Sequence, residues 1–285
     1  MTVPATRSQT SQIIVASLAL AKREWIRFFR QRTRVIGAIG QPVIFWILFG
    51  AGLRGSFESP AWAAQLNRDV TYQEYFFPGI AVLIILFTAI FSTISVIEDR
   101  REGFLQGVLV APVSRSAIVL GKLLGGTGIA LLQAVLFLTV GPALYWVGLA
   151  PSIPIDWTAM RILVIAGWMC LIALQLTAIG FLIAWPMSST QGYHAIMSVF
   201  LMPMWLLSGA FFPGSDSVWL AWIIRLNPLT YGVAGLRRLL YSSPLPVGDG
   251  LPSLFTCLIV TSATLLGVFA VALGLVSRPS VRNVV

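Results

Sequence analysis

The residues that could do chemistry in this 285-residue chain are few and scattered. His194 is the sole histidine, and no Cys, Asp or Glu stands near it at ligand spacing, so it offers no metal site. Cys170 and Cys257 sit alone inside apolar runs, without the C-x-x-C spacing of a redox pair, and read as small buried hydrophobes. A triphosphate-binding loop needs G-x-x-x-x-G-K-[ST], whose backbone amides cradle phosphate. Gly121-Lys122-Leu123 lacks the first glycine and the hydroxyl residue after the lysine. Gln41, Gln133 and Gln175 are polar at the depth of long apolar runs, where such residues bridge helices or line a pathway. Neither a catalytic residue nor a bound cofactor is expected of this chain.

The densest group of polar residues is a connector, 98–116. Glu98, Asp99, Arg100, Arg101 and Glu102 end a long apolar run, and Gly103 follows. Phe104, Leu105, Val108 and Leu109 then share one helical face, and Pro112 and Arg115 close the segment. A short amphipathic helix with charges at its start suits docking on a partner. A membrane stop followed by an interfacial turn has the same pattern.

The elements that hold these residues are spans. Hydrophobic residues make up 57% of the chain and charged ones only 10%, against about 25% in soluble domains. The charges are bunched, leaving runs without any, such as the 19 residues between Arg34 and Arg54 and the 23 between Glu74 and Glu98. About 20 apolar residues cross a bilayer as a helix. The runs predict an all-α polytopic protein with six spans: 35–53 (carrying Pro42), 76–97, 123–146, 162–185, 195–212 and 254–276. The uncharged stretch 162–215 is far too long for one span, and Pro186 to Gly192 supplies the break. The net charge of +9 sits beside the spans, where membrane proteins keep it, so nucleic acid is not an expected partner and the lipid bilayer is.

Two further segments frame the spans. Residues 1–34 form a cytoplasmic segment whose helix carries Ile14, Leu18, Ala21, Trp25 and Phe28 on one face, with basic residues mainly away from it. Such a helix lies in the membrane interface. Between 216 and 241, two short apolar pieces flank Asn227-Pro228, each too short to span, which predicts a re-entrant or interfacial hairpin on the outer side. With the N-terminus inside, 13 Lys and Arg fall on inner segments and 5 on outer ones, so both termini are expected in the cytoplasm. The inner loop after the fourth span has no basic residue.

These segments together resemble the membrane subunits of type-2 ABC transporters, closest to the small-loop branch of drug-resistance and nodulation-factor permeases. The likeness rests on Pro78-Gly79-Ile80, the run Glu98 to Gly103, Leu105, Leu109, Pro112-Val113-Ser114-Arg115 and Gly121-Lys122-Leu123. It rests equally on Ser208-Gly209, Phe212-Pro213 and Asn227-Pro228-Leu229-Thr230-Tyr231 with Arg237. The resemblance implies a permease subunit of a plasma-membrane exporter. It further implies a separate ABC ATPase subunit carrying ATP and Mg, a second permease copy, and a coupling role for 98–116. A hydrophobic, amphiphilic or lipid-linked cargo suits the nearly uncharged interior, with polysaccharide or glycolipid as the alternative. An ATP-independent carrier would need an intramembrane Asp or Glu, and the span pattern shows none.

Overall fold

A computed structural model describes residues 9–60, 63, 69–155, 157–211, 217–241, 245 and 251–277, the side chains of 33, 34 and 38 excepted. The termini, the Phe212-Pro213 motif and the first residue of the expected hairpin lie outside the described residues. Within them the chain is helical, with only an isolated antiparallel bridge between Ile155 and Tyr241. The helices are α1 (Gln9–Arg30), α2 (Arg32–Gly52), α3 (Tyr72–Ser92), α4 (Ile94–Arg101), α5 (Phe104–Val110) and α6 (Arg115–Ala143). They continue with α7 (Ala159–Ala184), α8 (Thr190–Trp205), α9 (Val218–Leu226), α10 (Pro228–Leu240) and α11 (Leu254–Ser277). Among the described residues six segments are long and apolar enough to cross a membrane, with α3 and α4 counted as one, so the protein is an all-α polytopic membrane protein.

Span two is the core. Nearly every α3 residue from Phe76 to Leu86 is buried, as expected of a helix that is apolar all round. Its neighbours reach it through glycine. A Cβ on Gly79 would stand 2.8 Å from Ala210, one on Gly141 2.5 Å from Phe77, and one on Gly126 2.3 Å from the Ser92 hydroxyl. Helices in lipid gain little from apolar burial against one another, so close backbone approach and hydrogen bonds decide their seating. Trp46 of α2 is fully buried between Phe77 and Phe137, and its Nε1 donates to the Gln73 carbonyl at 2.8 Å.

Both ends of the bundle depart from the simple run of spans. Span two carries on beyond residue 97, through a break at Thr93, as α4 up to Arg101. Span three begins at Arg115, well before the expected residue 123. At the other end α8 gives way to a π turn, Leu206–Ala210, with Gly209 at φ +73°. The hairpin is asymmetric. The described side chains of α9 are all at least partly exposed, whereas α10 is buried against α7, α11 and the end of α8.

Candidate functional site

The connector is built by local chemistry. Gly103 takes φ +77°, a left-handed conformation that side chains disfavour, and turns α4 into α5. Gln106 Nε2 donates to the Arg100 carbonyl at 3.2 Å and closes the C-terminal end of α4. Ala111 is extended, as the residue before a proline tends to be, and Pro112 separates α5 from α6.

Its charges hold it to four other elements. Asp99 is fully buried and receives Lys122 of α6 at 2.5 Å, Arg23 of α1 at 2.7 Å and Arg27 of α1 at 3.0 Å. Lys122, 4% exposed, also donates to Glu24 of α1 at 2.6 Å and to the Ser95 hydroxyl at 2.9 Å. Arg27 reaches Glu98 at 2.7 Å and Glu102 at 3.5 Å. A charge taken out of water is tolerated only when paired and hydrogen-bonded, and each of the three most buried members has partners. Arg100 donates to the carbonyls of Trp185 and Met187, both at 2.6 Å, gripping the α7–α8 turn. That turn is the loop without a basic residue of its own, and Arg100 supplies the cation from elsewhere. Arg115 donates to the carbonyls of Val276 and Ser277, closing the end of α11. A cavity of about 40 Å³ adjoins the cluster, lined by Glu24, Arg27, Thr88, Ser92 and Ser95 among others.

The apolar face of α5 turns inward. Leu105 is 2% exposed and packs in the protein's own core, with Val108 and Leu109 against it. Phe104 lies under the Arg23 guanidinium, 3.8 Å from its ring centroid. An amphipathic helix buries its apolar face on the nearest apolar surface, here the ends of its own spans. Arg101, Gly107, Val110 and Pro112 form the exposed edge, with Val110 85% exposed. Glu98, Asp99 and Arg100 are tied to other parts of the chain.

The apolar face expected for α1 is also divided. Ala21 and Phe28 are buried, and Trp25 packs on Gly128, whereas Leu18 and Ile14 point outward at 57% and 54% exposure. The inward stripe is Ser17, Ala21, Glu24 and Phe28. It lies along Gly121, Gly125 and Gly128 of α6: a Cβ at Gly121 would stand 2.6 Å from Leu20, and one at Gly125 2.8 Å from Glu24. Small residues let the two backbones approach, and that approach brings Glu24 to Lys122.

The other expected sites are placed as follows. Asn227 accepts from the Leu229 amide and donates to the Met204 carbonyl, and Pro228 occupies the first turn of α10. Tyr231 donates to the Arg225 carbonyl at 2.8 Å. These three residues fold the hairpin. Gln133 is buried and bonded to Thr88, Gln175 is buried, and Gln41 is exposed on α2, so the three line no common surface. His194 is exposed, 5.4 Å from the Phe91 ring. Among the described residues no group of His, Cys, Asp or Glu is placed to hold a metal.

Sequence reasoning missed Arg23, Glu24, Arg27, Ser95 and Lys122 as one cluster. Glu24 carried a signal: it is the only acidic residue before Glu58, and it falls in helical register with Ala21 and Phe28. Arg237 had appeared only as part of a motif. It is 3% exposed, donates to the Gly209 carbonyl at 3.0 Å and lies 4.1 Å from the Tyr75 ring centroid. Tyr75 donates to the same carbonyl at 2.7 Å. A π turn leaves carbonyls without their usual amides, and these side chains take their place.

Comparison with known proteins gives this architecture its place. The chain is 29% identical over 235 residues to the transport permease ycf38 of Cyanophora paradoxa, covering 81% of this chain and 77% of that one. It is 30% identical over 247 residues to the ycf38 permease of Pyropia yezoensis, with coverage of 84% and 80%. It is 28% identical over 200 residues to YbhR of Escherichia coli (strain K12), named as a multidrug ABC transporter permease; the match covers 70% of this chain and 52% of YbhR. The family model for ABC-2 type transporters matches residues 16–241, from α1 through the hairpin, and the chain belongs to that family of membrane permeases.

Proposed function

We propose that this permease is the membrane subunit of an ATP-driven exporter, with a separate ABC ATPase docked on the exposed edge of the connector. The observation that carries the reading is the connector itself. Its polar side chains grip α1, α6, the α7–α8 turn and the end of α11, while Arg101, Gly107, Val110 and Pro112 face outward and make none of these ties. A push on that edge reaches most of the bundle at once, which suits alternating access. ATP and Mg belong to the ATPase, and a second permease copy completes the path. The acids at Asp99 and Glu24 are bound to Lys122, which argues against their serving as coupling sites for protons or sodium. An apolar groove of about 320 Å³ between α8 and the hairpin, lined by Phe200, Met204, Leu207 and Leu226 among others, suits a hydrophobic, amphiphilic or lipid-linked cargo.

Docking is tested by co-purification of the ATPase. Val110→Glu places a charge on the proposed contact without touching the core, and the ATPase yield should fall at least about tenfold, an apolar anchor being worth more than about 1.4 kcal/mol. Leu105→Ala should instead cost about 2–5 kcal/mol of fold stability, as a core truncation does. Full ATPase recovery with Val110→Glu would move the docking site off the connector.

Orientation follows the basic bias, with both termini in the cytoplasm of a bacterial cell. With Cys170 and Cys257 replaced, a cysteine at exposed Val110 should react only from the cytoplasm. Cysteines at Trp146 or Trp219, 86% and 67% exposed, should react only from outside. Outside labelling at 110 would invert the topology.

A further inference from the structure

We propose that the buried Lys122–Asp99–Glu24 triad locks α1 to the connector, so that α1, α4 and the base of α6 move as one lever. Lys122 is then a positioning residue, buried and not part of the proposed docking edge. The proposal rests on the reading that the ATPase pushes the connector.

The geometry supplies the argument. Lys122 Nζ is shared among an α1 carboxylate, an α4 carboxylate and an α4 hydroxyl, at 2.6, 2.5 and 2.9 Å. All three side chains are about 5% exposed or less. Sliding α4 past α1 would part at least one buried charge from its mate, an expensive step away from water. The α1–α6 contact is the glycine seam described above, which has no room for independent sliding. Arg23 adds a second tie, gripping both Asp99 oxygens while covering Phe104. The helix break by Thr93 and the Gly103 turn form the borders of this body. On one side, Tyr193 of α8 holds Thr93 at 2.6 Å. The interfacial helix thereby becomes a moving part of the power stroke as well as a membrane anchor, its outward Ile14 and Leu18 carried through the headgroup region.

Two measurements on the permease–ATPase complex in phosphatidylethanolamine–phosphatidylglycerol nanodiscs test this. The first is a tether. With Cys170 and Cys257 replaced, Arg27→Cys and Glu102→Cys are joined by a short bismaleimide, which leaves the triad intact. If α1 and α4 travel together, the tethered complex should turn ATP over within about twofold of the untethered one. Arrest of turnover by the tether would show that the two helices must separate, and would overturn the lever. The second is hydrogen exchange of α1 and α4 in nucleotide-free and vanadate-trapped complexes. In the wild type both helices should change together. In Lys122→Met the α4 change should persist and the α1 change should shrink, since Arg23 and Arg27 still reach Asp99, and Lys122→Arg should restore it. Glu24→Gln with Asp99→Asn and Lys122→Met removes the three charges at once, which keeps the test open should Lys122→Met fail to insert. An α1 response unchanged in that variant, or absent from the wild type, would overturn the proposal. The underlying reading fails separately, through unchanged ATPase recovery with Val110→Glu.

Discussion

Asp99→Ala is expected to destabilise the folded permease by about 3–5 kcal/mol, the range for breaking a buried ion pair by removing one partner. Asp99 is fully buried and is the common acceptor of Arg23, Arg27 and Lys122. Without it Glu24 is the remaining carboxylate on Lys122, and Arg27 keeps only its more exposed mates Glu98 and Glu102. Uncompensated charge in a low-dielectric site cannot be recovered by rearrangement as it can at a surface. Asp99→Asn should fall between, since an amide keeps an acceptor for one cation but no charge for the other two. Glu102→Ala is the control: its side chain is 58% exposed, so its pair with Arg27 should be worth at most about 1 kcal/mol. Thermal unfolding in detergent, followed by loss of the monodisperse peak, ranks the three. An Asp99→Ala melting point equal to the wild type would show that water reaches the cluster and that the pairs are incidental.

The cluster also shows where reading a sequence along one dimension stops. Uncharged runs reveal spans because a lone charge in lipid is costly, and that rule found the six apolar segments. The same rule stops each segment at its first charge. It therefore ends span two before Glu98 and starts span three after Lys122, whereas the helices continue through both. Their partners lie far away in sequence: Glu24 is 98 residues from Lys122. No local pattern states that pairing. The amphipathic face of Phe104, Leu105, Val108 and Leu109 was legible, but not the surface it would cover. Glutamine depth was legible from Gln41, Gln133 and Gln175, but facing was not, because a helix apolar all round has no preferred side. Gly121-x-x-x-Gly125 is a weak motif in a chain with 25 glycines, yet it marks the seam that seats α1. Sequence supplies the spacing of such a motif, and only the fold supplies the neighbour.

At the opposite end, Gly235→Ala should detach the hairpin from the bundle. Alanine normally favours a helix over glycine by about 1 kcal/mol, and Gly235 sits inside α10, so propensity alone predicts a gain. Packing predicts the reverse. A Cβ at Gly235 would stand 2.0 Å from one ring atom of Trp168 and 2.4 Å from another. The indole cannot simply yield: Trp168 is 6% exposed, and its Nε1 donates to the Gly232 carbonyl of the same α10 helix at 3.0 Å. Relief requires either α10 to lift from α7, breaking that bond and loosening Arg237 from Gly209, or Trp168 to leave its rotamer inside a full core. Overpacking of this kind costs about 1–3 kcal/mol and occasionally more, which exceeds the propensity gain. Gly267→Ala in α11 separates the two terms, because a Cβ there meets nothing within 4 Å. That variant should be neutral or slightly more stable, whereas Gly235→Ala should melt earlier. A cysteine at Leu236, fully buried in the intact hairpin, should also become reactive to a membrane-impermeant maleimide only in the Gly235→Ala background. If both alanine variants behave alike and position 236 stays protected, α10 is not wedged against Trp168, and the close seating of the hairpin described above is wrong.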